Sequence, residues 1–337
     1  MKILVTGGLG FIGSNFVRLV LAERPAWSVV NLDLVTYAGN PANLKDVDGQ
    51  PRYRFVRGDI ADAEAARAAL EGCDAVVNFA AESHVDRSIL SAGPFVRTNI
   101  LGTMTLLDAA RAAGTRRFVQ VSTDEVYGAL GPGDAPFTET TPMNPTSPYA
   151  ASKAGADHLA LAYARTHGMD IVVTRCSNNY GPYQFPEKLI PLMITNAIEG
   201  QPLPVYGDGR QVRDWIHVED HCRGILVSLE RGKAGEVYNF GGEAERENIE
   251  IVRRVVAAIG APPELIRHVT DRPAHDRRYA MNVAHVRAAL GWSPRWSFED
   301  GLAATVRWYR EHDDWWRAVK DGRYRQFYQS WYGERTA

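Results

Sequence analysis

Four side chains in the middle of the chain could carry acid–base and redox chemistry together. The adjacent carboxyl groups of Asp124 and Glu125 precede Tyr149 and Lys153. Because Tyr149 and Lys153 are four residues apart in an alanine-rich segment, a helix would place both on one face. A lysine ammonium beside a phenol lowers the phenol pKa from its usual value of about 10. The pattern predicts that Tyr149 accepts a proton from a sugar or alcohol hydroxyl, although such pairs also occur on many surface helices.

The surrounding elements indicate where these groups meet. Residues 117–121 form an apolar run with the length of a buried parallel strand, and Thr123 follows it. Ligands bind at the C-terminal ends of strands in open α/β sheets. Residues 147–168 predict a helix that opens with Pro148, since proline is favoured in the first helical turn. The strand end and the helix are therefore expected to border one pocket.

Composition excludes several classes of function. The chain has 337 residues, with 38 Lys and Arg against 40 Asp and Glu, and a net charge of -2. This balance argues against a nucleic-acid-binding surface. The three cysteines fit neither a disulfide framework nor a zinc motif, so we expect a reducing cytoplasm and no metal. No apolar run approaches the ~20 residues of a membrane helix, and the N-terminus leaves no room for a signal peptide.

The N-terminal segment predicts a dinucleotide site. A short apolar strand at residues 3–5 leads into glycines at 7, 8, 10 and 13, before a helical pattern begins. Glycines let the backbone approach a pyrophosphate, and the helix N-terminus favours its negative charge. Asp33 ends the next strand, 20 residues after Gly13, which is the spacing of the acid that binds the adenosine ribose. An acid there repels a 2′-phosphate, so NAD is expected rather than NADP.

Two further strand ends face the same predicted crevice. One leads to Asp59 and Ile60, which are placed to meet adenine, and the other to Ala80 and Ala81, whose small side chains permit the dinucleotide to pass closely. A turn or capping role is the alternative for Asp59. Residues 94–113 predict a helix that could form a dimer face with the Tyr149 helix or simply pack on the sheet.

These motifs resemble a known family. The glycine turn at residues 6–13 and the Tyr/Lys pair resemble the extended short-chain dehydrogenases/reductases that modify nucleotide sugars. Residues 34–40, 81–88, 122–128 and 178–183 are similar to the dTDP-glucose 4,6-dehydratase family in particular. The resemblance covers Met1 to about Trp308. It implies an α/β fold, with a Rossmann-type doubly wound parallel sheet and a smaller α/β substrate-binding domain.

The resemblance also implies specific site residues. The expected catalytic residues are Thr123, Asp124, Glu125, Tyr149 and Lys153. The residues expected to bind NAD are Gly7, Gly10, Phe11, Ile12, Gly13, Asp33, Leu34, Thr36, Asp59, Ile60, Ala80, Ala81, Ser83, Thr98, Tyr149, Lys153 and Asn179. The residues expected to bind a nucleotide sugar are Ser83, His84, Thr123, Asn178, Lys188, Leu189, Pro204, Tyr206, Arg213, Asn248, Arg272 and His275.

One position separates the related activities. Sugar-nucleotide epimerases of this type lack the carboxyl pair, and GDP-mannose dehydratases and UDP-glucuronate decarboxylases lack an acid that matches Asp124. The chain departs from the family pattern at Leu34, where a lysine is usual, and at Ala274, where glycine is usual. The expected reaction converts dTDP-glucose to dTDP-4-keto-6-deoxyglucose and water. Glu125 as base and Asp124 as acid follow from the resemblance, because the spacing is symmetrical between them.

The domain organisation is expected to be interleaved. Residues 1–180 should form the NAD-binding domain, to which residues 217–242 return, and residues 181–337 the nucleotide-sugar-binding domain. The aromatic, basic tail after Trp308 is expected to pack on the second domain or on another subunit of a homodimer, with nucleobase stacking as the alternative. A 4-epimerase and a non-catalytic NAD-sensing protein are the alternative functions. Thymidine and uridine nucleotides are not distinguished.

Overall fold

The computed structural model describes residues 1–273 and 275–320. Ala274, where the sequence departs from the family pattern, lies outside the described residues, as do the tail residues Tyr324, Phe327, Tyr328, Trp331 and Tyr332. The expected packing of the aromatic tail after Trp308 therefore concerns described residues only up to 320.

The described chain alternates strands and helices. The strands are β1 (Lys2–Thr6), β2 (Ser28–Asp33), β3 (Tyr53–Arg57), β4 (Ala75–Asn78), β5 (Arg117–Thr123), β6 (Ile171–Cys176), β7 (Asn178–Tyr180), β8 (Leu203–Tyr206), β9 (Val212–His217), β10 (Val237–Phe240), β11 (Glu245–Glu247) and β12 (Ile266–Val269). The α-helices are α1 (Phe11–Glu23), α2 (Ala63–Leu70), α3 (Val85–Leu90), α4 (Gly93–Phe95), α5 (Thr103–Ala112), α6 (Pro148–His167), α7 (Leu189–Glu199), α8 (Val218–Arg231), α9 (Asn248–Ile259), α10 (Ala284–Leu290), α11 (Phe298–Glu311) and α12 (Asp313–Val319). Short 3₁₀ turns cover Pro41–Leu44, Asp124–Tyr127 and Pro263–Leu265.

Seven strands form the main sheet, in the order β10-β6-β5-β4-β1-β2-β3. Every neighbouring pair in this sheet is parallel. The order reverses between β1 and β4, which is the switch point where ligands bind in doubly wound sheets. The predicted Rossmann-type α/β fold is confirmed.

Both faces of the main sheet are covered, as an all-parallel sheet requires. Successive side chains of a strand point to opposite faces. Ile3 and Val5 of β1 therefore pack in one core with α1 and α8, whereas Leu4 packs in another core with α2, α5 and α6. This arrangement fixes the C-terminal ends of the strands along one rigid edge.

The second half of the chain contributes to two places. α8 packs on the main sheet and β10 is one of its strands. The other part has a three-stranded sheet β11-β9-β7, a two-stranded sheet β12-β8, and a core with α7, α9, α11 and α12. The exact division into two domains stays a prediction, which this sheet membership supports.

The helix predicted over residues 94–113 is present but not uniform. α4 continues through a π-helical segment, Val96–Gly102, into α5, and Gly114 follows with a φ of 66°. π-helical turns frequently occur at functional sites. Apolar periodicity cannot distinguish this wider helical turn from an α-helix, so the segment was not predictable.

α6 begins and ends as its sequence predicts. The Ser147 side chain caps the helix by accepting a hydrogen bond from the N–H of Ala150 at 3.1 Å, and Gly168 ends it in the left-handed conformation. A buried ion pair, Arg175 Nε to Asp157 Oδ2 at 2.9 Å, joins α6 to β6. Since breaking such a pair leaves an uncompensated buried charge, this contact holds the helix that carries Tyr149 against the sheet. Within residues 1–273 and 275–320, the structure contains no helix whose length and hydropathy suit a membrane span.

Candidate active site

A cleft runs along the C-terminal ends of the main-sheet strands. Every residue that the sequence predicts to bind NAD lines this cleft. Four of the predicted substrate residues line it too, namely Ser83, Thr123, Asn178 and Lys188. The cleft therefore joins the glycine turn at one end to the carboxyl pair at the other.

The carboxyl pair sits in the 3₁₀ turn that follows β5. Thr123 is the cap of this turn: its Oγ1 accepts a hydrogen bond from the N–H of Glu125 at 3.3 Å and donates to Asp124 Oδ1 at 3.2 Å. Asp124 is buried, with a side-chain Oδ2 that makes no hydrogen bond within the described residues. Glu125 is partly exposed to the cleft. The turn thus points two carboxyl groups into one space but leaves them in unequal surroundings.

Electrostatics separate the two carboxyl groups. Burial raises the pKa of Asp124 well above its usual value, and the neighbouring Glu125 raises it further. Burial also raises the pKa of Glu125, but the positive charges of Arg272, Lys188 and Arg213 act in the opposite direction. Like charges in a partly desolvated site cannot both ionise easily. The surroundings therefore favour a proton on Asp124 and a charge on Glu125.

Tyr149 and Lys153 face the same end of the cleft, but their electrostatics differ from the expectation. Burial raises the pKa of Tyr149 well above 10, and the Glu125 carboxylate adds to this increase. The Lys153 Nζ donates a hydrogen bond to the carbonyl of Val121 at 2.7 Å, and burial lowers the pKa of Lys153. The expectation of a lowered phenol pKa is wrong for the protein alone, because desolvation and nearby carboxyl groups raise the pKa of Tyr149.

Three cations from the second half of the chain approach the carboxyl pair. Arg213 is buried, donates to the carbonyl of Asp276 at 2.9 Å, and lies 4.3 Å above the ring centre of Tyr279. Lys188 Nζ donates to the carbonyl of Ser83 at 2.8 Å. Arg272 Nη1 lies 3.0 Å from Asp86 Oδ1. Arginine and lysine side chains so placed are suited to a diphosphate.

Other predicted substrate residues do not line the cleft. Leu189 begins α7, Pro204 lies in β8, and Asn248 begins α9 with a buried Oδ1 that no described residue satisfies. His275 Nδ1 lies 2.6 Å from Asp271 Oδ1, and its ring contacts that of Tyr206. Through Tyr206, which donates to Asp86, His275 is connected to the Asp86–Arg272 pair. A role for Leu189, Pro204 and Asn248 in binding the substrate stays a prediction.

Two buried carboxyl groups were missed by the sequence analysis. Asp86 accepts a hydrogen bond from the Tyr206 hydroxyl at 2.9 Å as well as pairing with Arg272. Glu187 accepts from the Tyr37 hydroxyl at 3.1 Å and lies 3.8 Å from His84 Nε2. Asp86 falls inside the stretch 81–88 and Glu187 precedes Lys188, but only the tertiary contacts show that they anchor the cations and rings of this wall.

The glycine turn fits a dinucleotide. Gly7 has a φ of 67°, and a Cβ on it would lie 2.7 Å from the backbone nitrogen of Ala80. At Gly10, which caps α1, a Cβ would meet only the Gly7 carbonyl at 3.2 Å among described atoms and would otherwise occupy the cleft. The missing side chains leave room where the first N–H groups of α1 can hold a pyrophosphate.

Asp33 also fits the role expected of it. Its carboxylate accepts hydrogen bonds from the N–H groups of Leu9 and Val35 at 2.9 and 2.8 Å. These bonds fix the carboxylate in the cleft and leave lone pairs for ribose hydroxyls. Asp59 lines the same end, where its Oδ1 accepts from the N–H of Ala61 and its Oδ2 pairs with Arg97 at 2.9 Å. Asp59 therefore has the turn role that was the alternative, and it also lines the cleft.

Comparisons with known proteins agree with this geometry. Residues 4–305 match the family model of GDP-mannose 4,6 dehydratase. A dTDP-glucose 4,6-dehydratase of Actinoplanes sp. is 52% identical over 321 residues, which cover 94% of this chain and 100% of that protein.

Solved structures give the same result. A dTDP-glucose 4,6-dehydratase from Streptomyces venezuelae, solved with NAD bound, is 54% identical with a TM-score of 0.93, covering 95% of this chain and 100% of that one. The enzyme from Bacillus anthracis in complex with NAD is 49% identical with a TM-score of 0.89 and the same coverage. Since these relatives are about half identical to this chain and match nearly its full length, the chain belongs to the dTDP-glucose 4,6-dehydratase family.

Proposed function

We propose that the protein is a hydro-lyase that converts dTDP-glucose to dTDP-4-keto-6-deoxyglucose and water, with NAD as its bound cofactor. The observation that carries the proposal is the pair Asp124 and Glu125, whose surroundings separate their proton affinities, next to Tyr149 in a cleft that fits a dinucleotide. Elimination of water needs one group that gives a proton and one that takes a proton. The product is a precursor for deoxysugar nucleotides.

The cofactor would be held by the glycine turn and by Asp33. When bound, NAD⁺ takes a hydride from the sugar C4 and later gives it back to C6, and its positive charge favours an ionised phenol nearby. Lys153, fixed on the Val121 carbonyl, adds a second positive charge at that end of the cleft.

Tyr149 acts at the first step. Its phenol oxygen takes the proton of the C4 hydroxyl as C4 becomes a ketone. The Thr123 hydroxyl, which can donate a hydrogen bond to the C4 oxygen, polarises the new carbonyl. A carbonyl at C4 makes the C5 proton acidic, which prepares the elimination.

The carboxyl pair acts at the second step. Glu125 takes the proton from C5, and Asp124 gives a proton to the C6 hydroxyl, which leaves as water. The double bond between C5 and C6 is conjugated with the C4 ketone. Glu125 then returns a proton to C5 when C6 is reduced, so that the sugar loses one water. The protein regains its starting protonation when Tyr149 gives up the proton that it took from the C4 hydroxyl and Asp124 takes one up.

The second half of the chain is proposed to bind the nucleotide diphosphate. Arg213, which is buried, and Arg272, which is partly buried, carry positive charge that acts on Glu125, and diphosphate oxygens would share it. Tyr206, Asn248 and His275 border the nucleoside end. A 4-epimerase would use Tyr149 but would not need Asp124, and an NAD sensor would need neither carboxyl group.

We also propose that the protein is a homodimer that works in a reducing cytoplasm. Leu90, Val96 and Leu101 are exposed on and around the π-helical segment beside α6, an apolar surface that a second subunit would bury. The three cysteines are free and buried, which supports a reducing compartment. Cell fractionation tests the location.

The dimer proposal predicts a change of mass in solution. Leu101→Glu places a charge in the proposed interface and should convert the dimer to a monomer. Light scattering measures the mass, with Glu64→Gln on exposed α2 as a control that should remain dimeric. A parent protein that is already a monomer at micromolar concentration contradicts the proposal.

The proposed reaction predicts a specific loss of mass. Purified protein should convert dTDP-glucose to a product lighter by one water, which mass spectrometry measures, with no NADH released in proportion to product. UDP-glucose and GDP-mannose should be converted more slowly. A product of unchanged mass would indicate a 4-epimerase, and bound NAD without any turnover of the three sugar nucleotides would indicate a sensor.

Variants of the site should separate oxidation from elimination. Glu125→Gln and Asp124→Asn should each lower turnover about 10²- to 10⁴-fold, the usual contribution of a general acid or base. Both variants should still oxidise C4 of the sugar. The bound NADH that this forms should be detected by its absorbance when dTDP-glucose is added. Tyr149→Phe should give neither product nor that absorbance.

The control for these variants is Glu64→Gln, which makes the same chemical change on an exposed surface and should keep parent turnover. Wild-type turnover in Glu125→Gln would remove Glu125 from the mechanism. Parent-like absorbance changes in Tyr149→Phe would remove Tyr149 as the proton acceptor.

A further inference from the structure

The last described helix reaches the cofactor half of the molecule through an aromatic cluster. Trp315 of α12 and Trp308 of α11 pack with Tyr183, with ring centres 5.7 and 4.6 Å from the Tyr183 ring. The guanidinium of Arg18 on α1 also packs on this cluster and lies 4.1 Å from the centre of the Tyr183 ring. α12 is therefore packed next to the helix that begins at the glycine turn.

Hydrogen bonds connect this cluster to the glycine turn. The indole Nε1 of Trp315 donates a hydrogen bond to Asn43 Oδ1 at 2.8 Å, and Asn43 Nδ2 donates to the carbonyl of Leu9 at 2.8 Å. Leu9 lies inside the glycine turn, between Gly8 and Gly10. The N–H of Leu9 in turn donates to Asp33 Oδ2 at 2.9 Å. A continuous hydrogen-bonded chain thus connects α12 to the carboxylate expected to bind ribose.

The indole N–H determines which way the Asn43 amide points. An amide has an acceptor end and a donor end. If it were reversed, Oδ1 would face the Leu9 carbonyl and the NH₂ group would face the indole N–H, and both contacts would be repulsive. Asn43 is 1% exposed, so water cannot replace the lost partners at low cost. Only the observed orientation satisfies the Trp315 indole and also gives the Leu9 carbonyl a second hydrogen bond, beside the one that it accepts from the N–H of Asn40 at 3.0 Å.

We propose that Trp315 is a positioning residue for the cofactor. Its indole N–H fixes the Asn43 amide, and the amide holds the Leu9 peptide in the conformation in which the glycine turn receives the pyrophosphate and Asp33 faces the ribose. The inference rests on the proposed binding of NAD. It gives α12 a role in cofactor retention, although α12 is far from the glycine turn along the chain.

The test compares two matched substitutions in the purified protein with its NAD. Trp315→Phe removes the N–H donor but keeps an aromatic ring, whereas Trp308→Phe makes the same change at a residue of the same cluster whose ring packs on Tyr183. The rate of NAD release is measured by exchange with labelled NAD. Trp315→Phe should release NAD about threefold to tenfold faster, the scale of one lost hydrogen bond, and Trp308→Phe less than twofold faster.

A second variant tests the relay without altering the cluster. Asn43→Asp can still accept from Trp315 but places a carboxylate oxygen against the Leu9 carbonyl, so its NAD release should be at least as fast as that of Trp315→Phe. Excess NAD should restore parent turnover in Trp315→Phe, because the catalytic groups are untouched.

Two results would overturn the inference: unchanged NAD release in Trp315→Phe, or equal acceleration in Trp315→Phe and Trp308→Phe, which would indicate loss of packing alone. The exchange assay needs no sugar nucleotide. If the parent protein binds no NAD, the proposed function has failed rather than the relay.

Discussion

Two adjacent carboxyl groups at the end of β5, one buried and one partly exposed to the cleft, determine how the rest of the site must be built. Taking a carboxylate out of water is costly unless opposite charge or hydrogen bonds compensate it. Asp124 accepts a hydrogen bond from the Thr123 hydroxyl and is attracted by Arg213, but burial and the neighbouring Glu125 outweigh both and favour its protonated form. Glu125 is compensated by the positive charges of Lys188, Arg213 and Arg272. The unequal pair therefore requires the second half of the chain to pack on the strand ends.

The rest of the architecture keeps these charges in place. The parallel sheet fixes the end of β5, and the buried pair Arg175–Asp157 ties α6 to the adjacent strand. Asp86 anchors Arg272. Because each cation has a partner of its own in the wall, the positive field at Glu125 exists before any substrate arrives. Preorganised charge of this kind contributes to catalysis without rearrangement during the reaction.

Much of this arrangement could be predicted from the sequence. The glycine turn, Asp33 and the strand ends follow from local patterns that dictate both backbone shape and position in the sheet. Other features depend on contacts between distant segments, which leave no local pattern. Asp86, Glu187 and the link from Trp315 to Asn43 belong to this group.

The raised pKa of Tyr149 has the same origin. The Tyr/Lys spacing correctly placed both residues at the cleft, but spacing does not report desolvation. Burial and the Glu125 carboxylate raise the pKa of the Tyr149 phenol, and Lys153 Nζ donates a hydrogen bond to the Val121 carbonyl. The π-helical segment was also beyond the sequence pattern, since its apolar spacing matches that of an ordinary helix.

We expect Asp124 to hold a proton while Glu125 is ionised near neutral pH. Infrared difference spectroscopy of the protein with its NAD measures this directly, because a protonated carboxyl has a C=O stretching band that a carboxylate lacks. The parent should show a buried carboxyl band that is lost in Asp124→Asn and kept in Glu125→Gln. A band that survives in Asp124→Asn and disappears in Glu125→Gln would contradict it.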